Sequence, residues 1–576
     1  MIKLFKYLKG SAVICAILAP LVMCLEVAMD LLQPTLLSNI IDIGVANQDL
    51  NYVLITGLKM IIAAVIGLFA GAACSFLAAI AAIKLGEEVR QSLFDKIQTL
   101  SFIELDKLKT SSLITRLTND VTQIQQMMNM LLRMMVRAPS TAIGGLVMAI
   151  ILSKELSNIF IIAIPIIIIV VVIILKKSFP LFKVVQRKID NINLVMRESI
   201  LGVKIIKALV IEDTQKERFN EANKDLTISS IKSQNMNLLL LPISTLIMNL
   251  TVVSVLWFGG NMFVAGNIEI GKIMAFINYL LQIMNSIMML INCMIMFSRA
   301  QVSAARINEV LSTEPSIKNK EDSVKINKFD IEFKNVFFKY NDHSDDVLED
   351  ISVKISEGEK IGIIGSTGCG KTSFVSLIPR LYDVTSGEVL IGGTNIKDID
   401  ISQLRDEVGI VLQESILFSG NIKSNLKFAK KDATKEEMIS AAKDSQSYEF
   451  IINKENKFED VVEQRGKNLS GGQKQRLSIG RTLMKNPKIF IMDDSSSALD
   501  MATEAKLQTS IRNRMKDSTV LIIAQRISAV MDLDRVIVMD DGKISDVGTH
   551  EELLGRNKIY QSIAVSQLGE EVLDIV

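Results

Sequence analysis

The chain has 576 residues, with 64 Lys and Arg against 63 Asp and Glu, and its formal charge of +1 gives no electrostatic footprint for nucleic acid. Hydrophobic residues make up 49% and charged residues 22%, an average that conceals two dissimilar halves and, at this length, predicts more than one domain. Five cysteines (Cys15, Cys24, Cys74, Cys293 and Cys369) have neither metal-ligand spacing nor the pattern of a disulfide framework, and there are only two histidines, His343 and His550.

The N-terminus, MIKLFKYLKG, is basic and leads into a long apolar run with no A-x-A-like cleavage site, so it reads as a retained first membrane helix. Six apolar runs, near 11–40, 53–83, 131–152, 159–175, 238–264 and 273–297, are long enough for a hydrocarbon core of ~30 Å, which takes about 20 residues. Lys3, Lys6 and Lys9 precede the first run. Lys84, Arg90, Lys96, Lys107, Lys109 and Arg116 follow the second, and Lys176, Lys177, Lys183, Arg187, Lys188 and Arg197 follow the fourth. The other side has only Lys59, Lys154 and Lys272 near helix ends. This asymmetry predicts a multi-pass protein of the plasma (inner) membrane with both termini cytoplasmic. Two inner segments, about 84–130 and 176–237, are charged, helix-patterned and too long for turns. They extend the spans inward. Their tips, around 106–112 and 209–215, are expected to dock on the second half of the chain and carry its movement to the membrane.

Glu26 and Asp30 stand four residues apart in the first run, on one helix face. Acids in a bilayer face the protein interior or a water-filled cavity. Such a pair either attracts a cationic substrate or carries a proton, or it is structural and hydrogen-bonded to a neighbouring helix. Methionines cluster at 127–130, 288–289 and 294–296. They suit a flexible lining for apolar ligands, but ordinary packing or lipid contact is the favoured reading.

Residues 1–300 are therefore read as the membrane domain, 301–328 (polar, with Pro315) as a linker, and 329–576 as a soluble α/β domain. In that domain the apolar run 361–364 predicts a buried strand ending at Gly365. Ser366, Thr367, Gly368, Cys369, Gly370, Lys371 and Thr372 then complete the phosphate-binding pattern G-x-x-x-x-G-K-[ST], and Ser373 enters an apolar helix expected over 374–381. Phosphate oxygens need donors on several sides at once, which a glycine-rich backbone and a helix N-terminus supply. Lys371 is expected to reach the β- and γ-phosphates, and Thr372 to hold Mg²⁺.

Upstream, VFFKY ends in Tyr340, an aromatic face suited to stacking on adenine. VGIVLQ puts Gln413 at a strand end, where its amide oxygen can coordinate Mg²⁺ or position a water. Leu469 is followed by Ser470, Gly471, Gly472 and Gln473, small residues opening a helix and a second anion site about a hundred residues on from the first. One nucleotide need not touch both elements within one chain, which suggests a sandwich of two domains. IFIMD is a buried strand ending in Asp493, suited to Mg²⁺, with Asp494 next and Ser497, Ala498, Leu499 and Asp500 beyond.

These motifs together resemble the nucleotide-binding domain of an ATP-binding cassette (ABC) protein. With six spans ahead, LITRLTNDV at 113–121 and GVKIIKA at 202–208, the whole chain resembles a type IV, multidrug-type exporter half-transporter. The resemblance implies an α-helical six-span transmembrane domain followed by an α/β P-loop nucleotide-binding domain, ATP and Mg²⁺ as cofactors, and coupled ATP hydrolysis. It also implies a second half-transporter as partner, with two ATP molecules each held between one chain's phosphate loop and the other's LSGGQ. The bilayer and an amphipathic small molecule or lipid are the remaining partners, and no nucleic acid is expected. A preceding protease domain of the peptide-processing exporters is not expected, nor the Ser-rich charged insert of a regulated channel.

Two positions depart from the family pattern. Asp494 stands where the family usually has the Glu that polarises the attacking water, and Gln525, in LIIAQR, stands where it usually has a histidine. Asp494 is one methylene short, and glutamine cannot carry a proton. General acid–base assistance is worth typically 10²–10⁴-fold. Gln464 is a milder departure, in a segment where the family often has Glu. A whole phosphate loop, altered hydrolytic positions and a whole LSGGQ resemble the degenerate-site subunit of a heterodimeric exporter. A homodimeric exporter with slow ATPase is the alternative.

Overall fold

A computed structural model of the protein describes residues 2–320, 322–341 and 344–569. The chain divides into two compact units, Met1–Lys96 with Ser111–Ser312, and Ile97–Thr110 with Thr313–Val576.

Among the described residues, six helices are long and apolar enough to cross a membrane, Ser11–Val45, Leu50–Thr99, Thr110–Leu152, Lys154–Leu201, Glu212–Val264 and Ile270–Ser312. Each contains one of the six apolar runs, and each continues well past it. The second helix has 50 residues, about 75 Å at 1.5 Å per residue, so its charged portion must leave a core of ~30 Å. Ile17, Leu21, Leu54, Phe69 and Trp257 point outward, a surface suited to lipid. Small residues form the contacts between helices: Cys74, Ala78, Ala81 and Ala82 of the second helix are buried, which lets backbones approach closely. Met127, Met128 and Met130 are buried as well, as packing residues.

The LITRLTNDV segment acquires a structural reason. Arg116 and Asp120, in the π-helical turn Arg116–Asp120, are buried against the end of the last long helix. Asp120 Oδ1 accepts from Ser303 Oγ at 2.8 Å and from Arg306 Nη2 at 2.6 Å. Arg116 Nη1 donates to the Arg306 carbonyl at 2.9 Å, and its Nη2 pairs with Glu309 at 2.9 Å. That last helix runs to Ser312, so residues 301–312, read above as linker, are helical. Ala300, Ser303, Ala304, Ile307 and Val310 recur at helical spacing and are buried.

The second unit is built on a six-stranded sheet in the order Lys543–Gly548, Arg535–Asp540, Lys360–Gly365, Thr519–Ile523, Ile489–Asp493, Val408–Val411. All neighbours are parallel except the first pair. The strands IFIMD and TVLII are buried along their whole length, as expected where helices cover both faces of a parallel sheet. A four-stranded antiparallel sheet, in the order Leu348–Ile355, Ile331–Phe338, Ser386–Ile391, Thr394–Asn395, lies beside it.

The first inner tip belongs to this unit. Ser101 and Glu104 form a capping box that starts the helix Phe102–Leu108. The Phe102 ring packs 5.9 Å from that of Tyr382, and Tyr382 Oη donates to Asp106 Oδ2 at 3.3 Å. The second tip, helix Val203–Leu209 ended by a left-handed Val210, belongs to the first unit and keeps Leu201, Ile205, Leu209 and Val210 exposed.

Candidate functional site

Three adjacent parallel strands set the site. Their register puts Ile363 level with Ile523 and Ile523 level with Asp493, so Gly365, Gln525 and Asp493 all lie at one edge of the sheet. This is the carboxyl edge, where open α/β sheets bind ligands. A cavity of about 300 Å³ opens there, lined by Tyr340, Val347, Thr367, Gly368, Gly370, Lys371, Thr372, Ser373, Gln413, Asp493, Asp494, Ile523 and Gln525.

The phosphate loop turns on Gly370, whose φ of +94° is left-handed and where a Cβ would come within 2.8 Å of Leu348. No other residue type fits that corner without strain. The following helix, Lys371–Leu377, is shorter than the one expected to 381. Lys371 Nζ rests on the carbonyls of Gly365 at 2.9 Å and Ser366 at 2.7 Å, with Cys369 Sγ at 3.6 Å. Gly365, Ser366 and Cys369 thus form the back of the loop, and Thr367, Gly368 and Gly370 its open face. Thr372 Oγ1 donates to Asp493 Oδ1 at 3.0 Å. Two hard oxygen donors side by side, with phosphates and water to complete the shell, fit Mg²⁺.

Tyr340 lies two residues past its strand. Its hydroxyl shares a 2.8 Å hydrogen bond with Ser373 Oγ, and its ring meets Phe338 and Tyr382 edge-on at 4.9 and 5.2 Å. Gln413 also lies two residues beyond its strand, Val408–Val411. Its Nε2 faces Asp494 Oδ2 at 3.4 Å.

Asp494 has a left-handed φ of +44°, which turns its side chain out of the strand direction. Its Oδ2 accepts from Gln525 Nε2 at 2.6 Å. Burial pushes the Asp494 carboxyl above the ordinary carboxylate range, opposed by the Gln525 hydrogen bond and by Lys371. Asp493 is also raised by burial, with the Thr372 hydrogen bond opposing and the Asp494 charge adding to the rise.

Ser470 caps the helix Gly471–Leu483 through a capping box with Gln473, with Gln473 N–H to Ser470 Oγ at 3.3 Å and Ser470 N–H to Gln473 Oε1 at 3.1 Å. Ser470 and Gly471 are exposed. Ser470, Gly471, Gly472 and Gln473 are not among the residues lining the cavity. The structure therefore joins Tyr340, the phosphate loop, Gln413, Asp493, Asp494 and Gln525, and leaves the second anion element facing outward.

Three supporting groups escaped the sequence reading. Gln475, buried, accepts from Ala498 N–H at 3.1 Å and ties the LSGGQ helix to the 497–500 loop. Gln567 donates to the Gln525 carbonyl at 2.7 Å and accepts from Ile527 N–H at 2.8 Å. Val347 supplies an apolar wall beside Tyr340. Isolated glutamines and one valine give no sequence signal. Of the histidines, His343 lies outside the described residues, and His550 Nδ1 bonds Tyr560 Oη at 2.7 Å, away from the cavity.

Residues 16–287 match the family description "ABC transporter transmembrane region", and residues 348–497 match "ABC transporter". The ABC transporter ATP-binding protein YfiB of Bacillus subtilis (strain 168) is 38% identical over 571 residues, 99% of this chain and 99% of that one. The chain belongs to the ABC transporter family. An ATP-dependent lipid A-core flippase of Syntrophus aciditrophicus (strain SB) is 30% identical over 504 residues, 86% of this chain and 84% of that one. In fold, this ABC transporter chain is similar to a bacterial Atm1-family ABC exporter solved with ATP bound, with a TM-score of 0.80 at 24% identity, covering 97% and 98% of the two chains. It is a multi-pass chain with the fold of an exporter half-transporter, its membrane unit followed by the nucleotide unit. Its ATP-binding domain carries ATPase activity coupled to transport.

Proposed function

We propose that this chain is the degenerate-site subunit of a heterodimeric, ATP-driven exporter of amphipathic small molecules or lipids. Tyr340 stacks on the adenine, residues Gly365 to Ser373 hold the phosphates, and Thr372, Asp493 and the Gln413 oxygen hold Mg²⁺. The observation that carries the reading is the closed pair Asp494–Gln525. The carboxylate at the position for polarising water is short, and its Oδ2 is taken by an amide that cannot relay a proton. ATP at this loop clamps the two nucleotide domains more than it is consumed.

Ser470, Gly471, Gly472 and Gln473, outside this chain's own cavity, complete the faster site on the partner's phosphate loop. The exporter direction follows from the family fold, and an amphipathic substrate from the apolar spans; the flippase relative, named for lipid A-core, is in keeping with it. Both termini are cytoplasmic in this reading, since the Lys and Arg excess lies on their side of the bilayer.

The test is ATPase measured on the purified chain alone and on its complexes with candidate half-transporters from the same genome. Weak turnover alone and substrate-stimulated turnover only in one mixed complex are expected. Robust ATPase of the chain by itself would instead favour a homodimeric exporter.

A further inference from the structure

The acids of the first span share a cavity with two arginines that sequence reading passed over. Arg137, from the third span, donates Nη1 to Glu26 Oε1 at 2.5 Å and Nη2 to Asp30 Oδ2 at 2.9 Å. One guanidinium thus bridges both carboxylates through charge-assisted hydrogen bonds, one terminal nitrogen to each. Arg133 stands one helical turn earlier, on the same face. Neither carboxylate pairs with it, and its Nε is buried without a hydrogen-bond partner among the described residues.

Both arginines, with Glu26, Asp30, Gln33 and Ser75, line a cavity of about 520 Å³. The second span forms its other wall with Ala64, Gly67, Leu68, Gly71 and Ala72. Gly71 gives the Glu26 carboxyl room, since a Cβ there would sit 3.0 Å from its carboxyl carbon. The cavity therefore has one charged end and one small, apolar wall. A cation within a span is costly unless it finds a partner or water. With Arg137 already neutralised, the group left to be satisfied is Arg133.

We propose that this cavity is the head-group subsite of the exporter, and that Arg133 takes a phosphate or carboxylate on an amphipathic substrate. The inference rests on the exporter reading and narrows its substrate class to anionic or zwitterionic amphiphiles. Glu26 and Asp30 hold Arg137 back, so an incoming anion meets one free guanidinium instead of two. Binding then stays weak enough for release.

The test is direct binding to the full chain in nanodiscs, alone and as the mixed complex, without ATP. One arm uses a fluorescent short-chain phosphatidic acid against the diacylglycerol of the same chains. A second uses a dansyl-labelled fatty acid against its methyl ester, so that lipid phosphate and free carboxylate are distinguished. Arg133→Ala is expected to weaken at least one anionic probe about tenfold or more while leaving the neutral counterparts unchanged. Arg133→Lys, which keeps the charge without the fork, should retain part of the affinity. Glu26→Gln, which removes one negative charge and leaves Arg137 paired with Asp30 alone, should tighten anion binding, a change of sign that a purely structural ion cluster does not produce. Equal affinity for charged and neutral probes, or an Arg133→Ala chain that elutes normally and binds both anions as before, overturns the proposal. Because no transport or hydrolysis is read, failure of the exporter reading leaves this result standing, and failure here leaves that reading intact.

Discussion

Gln525 donates its amide to Asp494 Oδ2 at 2.6 Å, so the two positions proposed above for preparing water are bonded to each other. Asp494→Glu combined with Gln525→His should restore both a longer carboxylate and a group able to carry a proton. We expect steady-state ATPase to rise about tenfold or more, within the range that acid–base groups contribute. Asp494→Glu alone should give less. No change in the double variant would place the defect elsewhere.

The two anion elements should fail unequally. In a mixed complex, Ser470→Ala is expected to remove most of the ATPase, because that residue caps the outward-facing helix assigned to the faster site. Asp494→Ala should cost much less. Equal losses would indicate two equivalent sites, as in a homodimer.

Burial raises the Asp494 carboxyl above its ordinary 3.8, so the folded chain binds more protons there than the unfolded chain. Stability from this group therefore falls as pH rises from about that ordinary value to the raised folded one, and the cost persists at neutral pH. Asp494→Asn should raise the melting temperature of the nucleotide unit at neutral pH. It should also flatten the decline across the acidic window. Calorimetry at several pH values reads both.

Tyr382 links the first inner tip to Tyr340, since its ring meets both Phe102 and Tyr340 and its hydroxyl bonds Asp106. Burial, and next the Asp106 charge, hold that phenol protonated far above its usual range. Tyr382→Phe removes only the hydrogen bond, so basal ATPase should change by about twofold at most. Substrate stimulation of ATPase should fall further. Tyr382→Ala should also weaken ATP binding by loosening Tyr340.

Asp120 is buried and satisfies both Ser303 and Arg306. Asp120→Ala removes the acceptor of both donors beside Arg116 and should cost about 1–2 kcal/mol, since Arg306 is partly solvated, read as a lower melting temperature of the membrane unit in detergent. Asp120→Asn should cost less, because its carbonyl still accepts one bond.

What could be read from the sequence was local. The phosphate loop, the Asp493 strand and the Ser470 cap are each contained within about a dozen residues, and each fell on its expected element, with the helix after the loop shorter than expected. The six spans were legible from apolar runs, but their lengths were not. The helices continue where charged residues replace apolar ones, and composition then looks like loop. Residues 301–312 show why. Their polar average masked a stripe, from Ala300 to Val310, that keeps the helix buried on one side. Pairings across the fold, Arg137 with Glu26 and Gln475 with Ala498, were invisible because sequence separation carries no geometry.

The first inner tip has a consequence for biosynthesis. Asp106 and its partner Tyr382 are 276 residues apart. At ~5–20 residues per second, the ribosome needs about 14–55 s to deliver the partner after the tip has emerged. Throughout that interval Phe102 and Asp106 wait without Tyr382, so the nucleotide unit is completed around a piece made long before the rest of it.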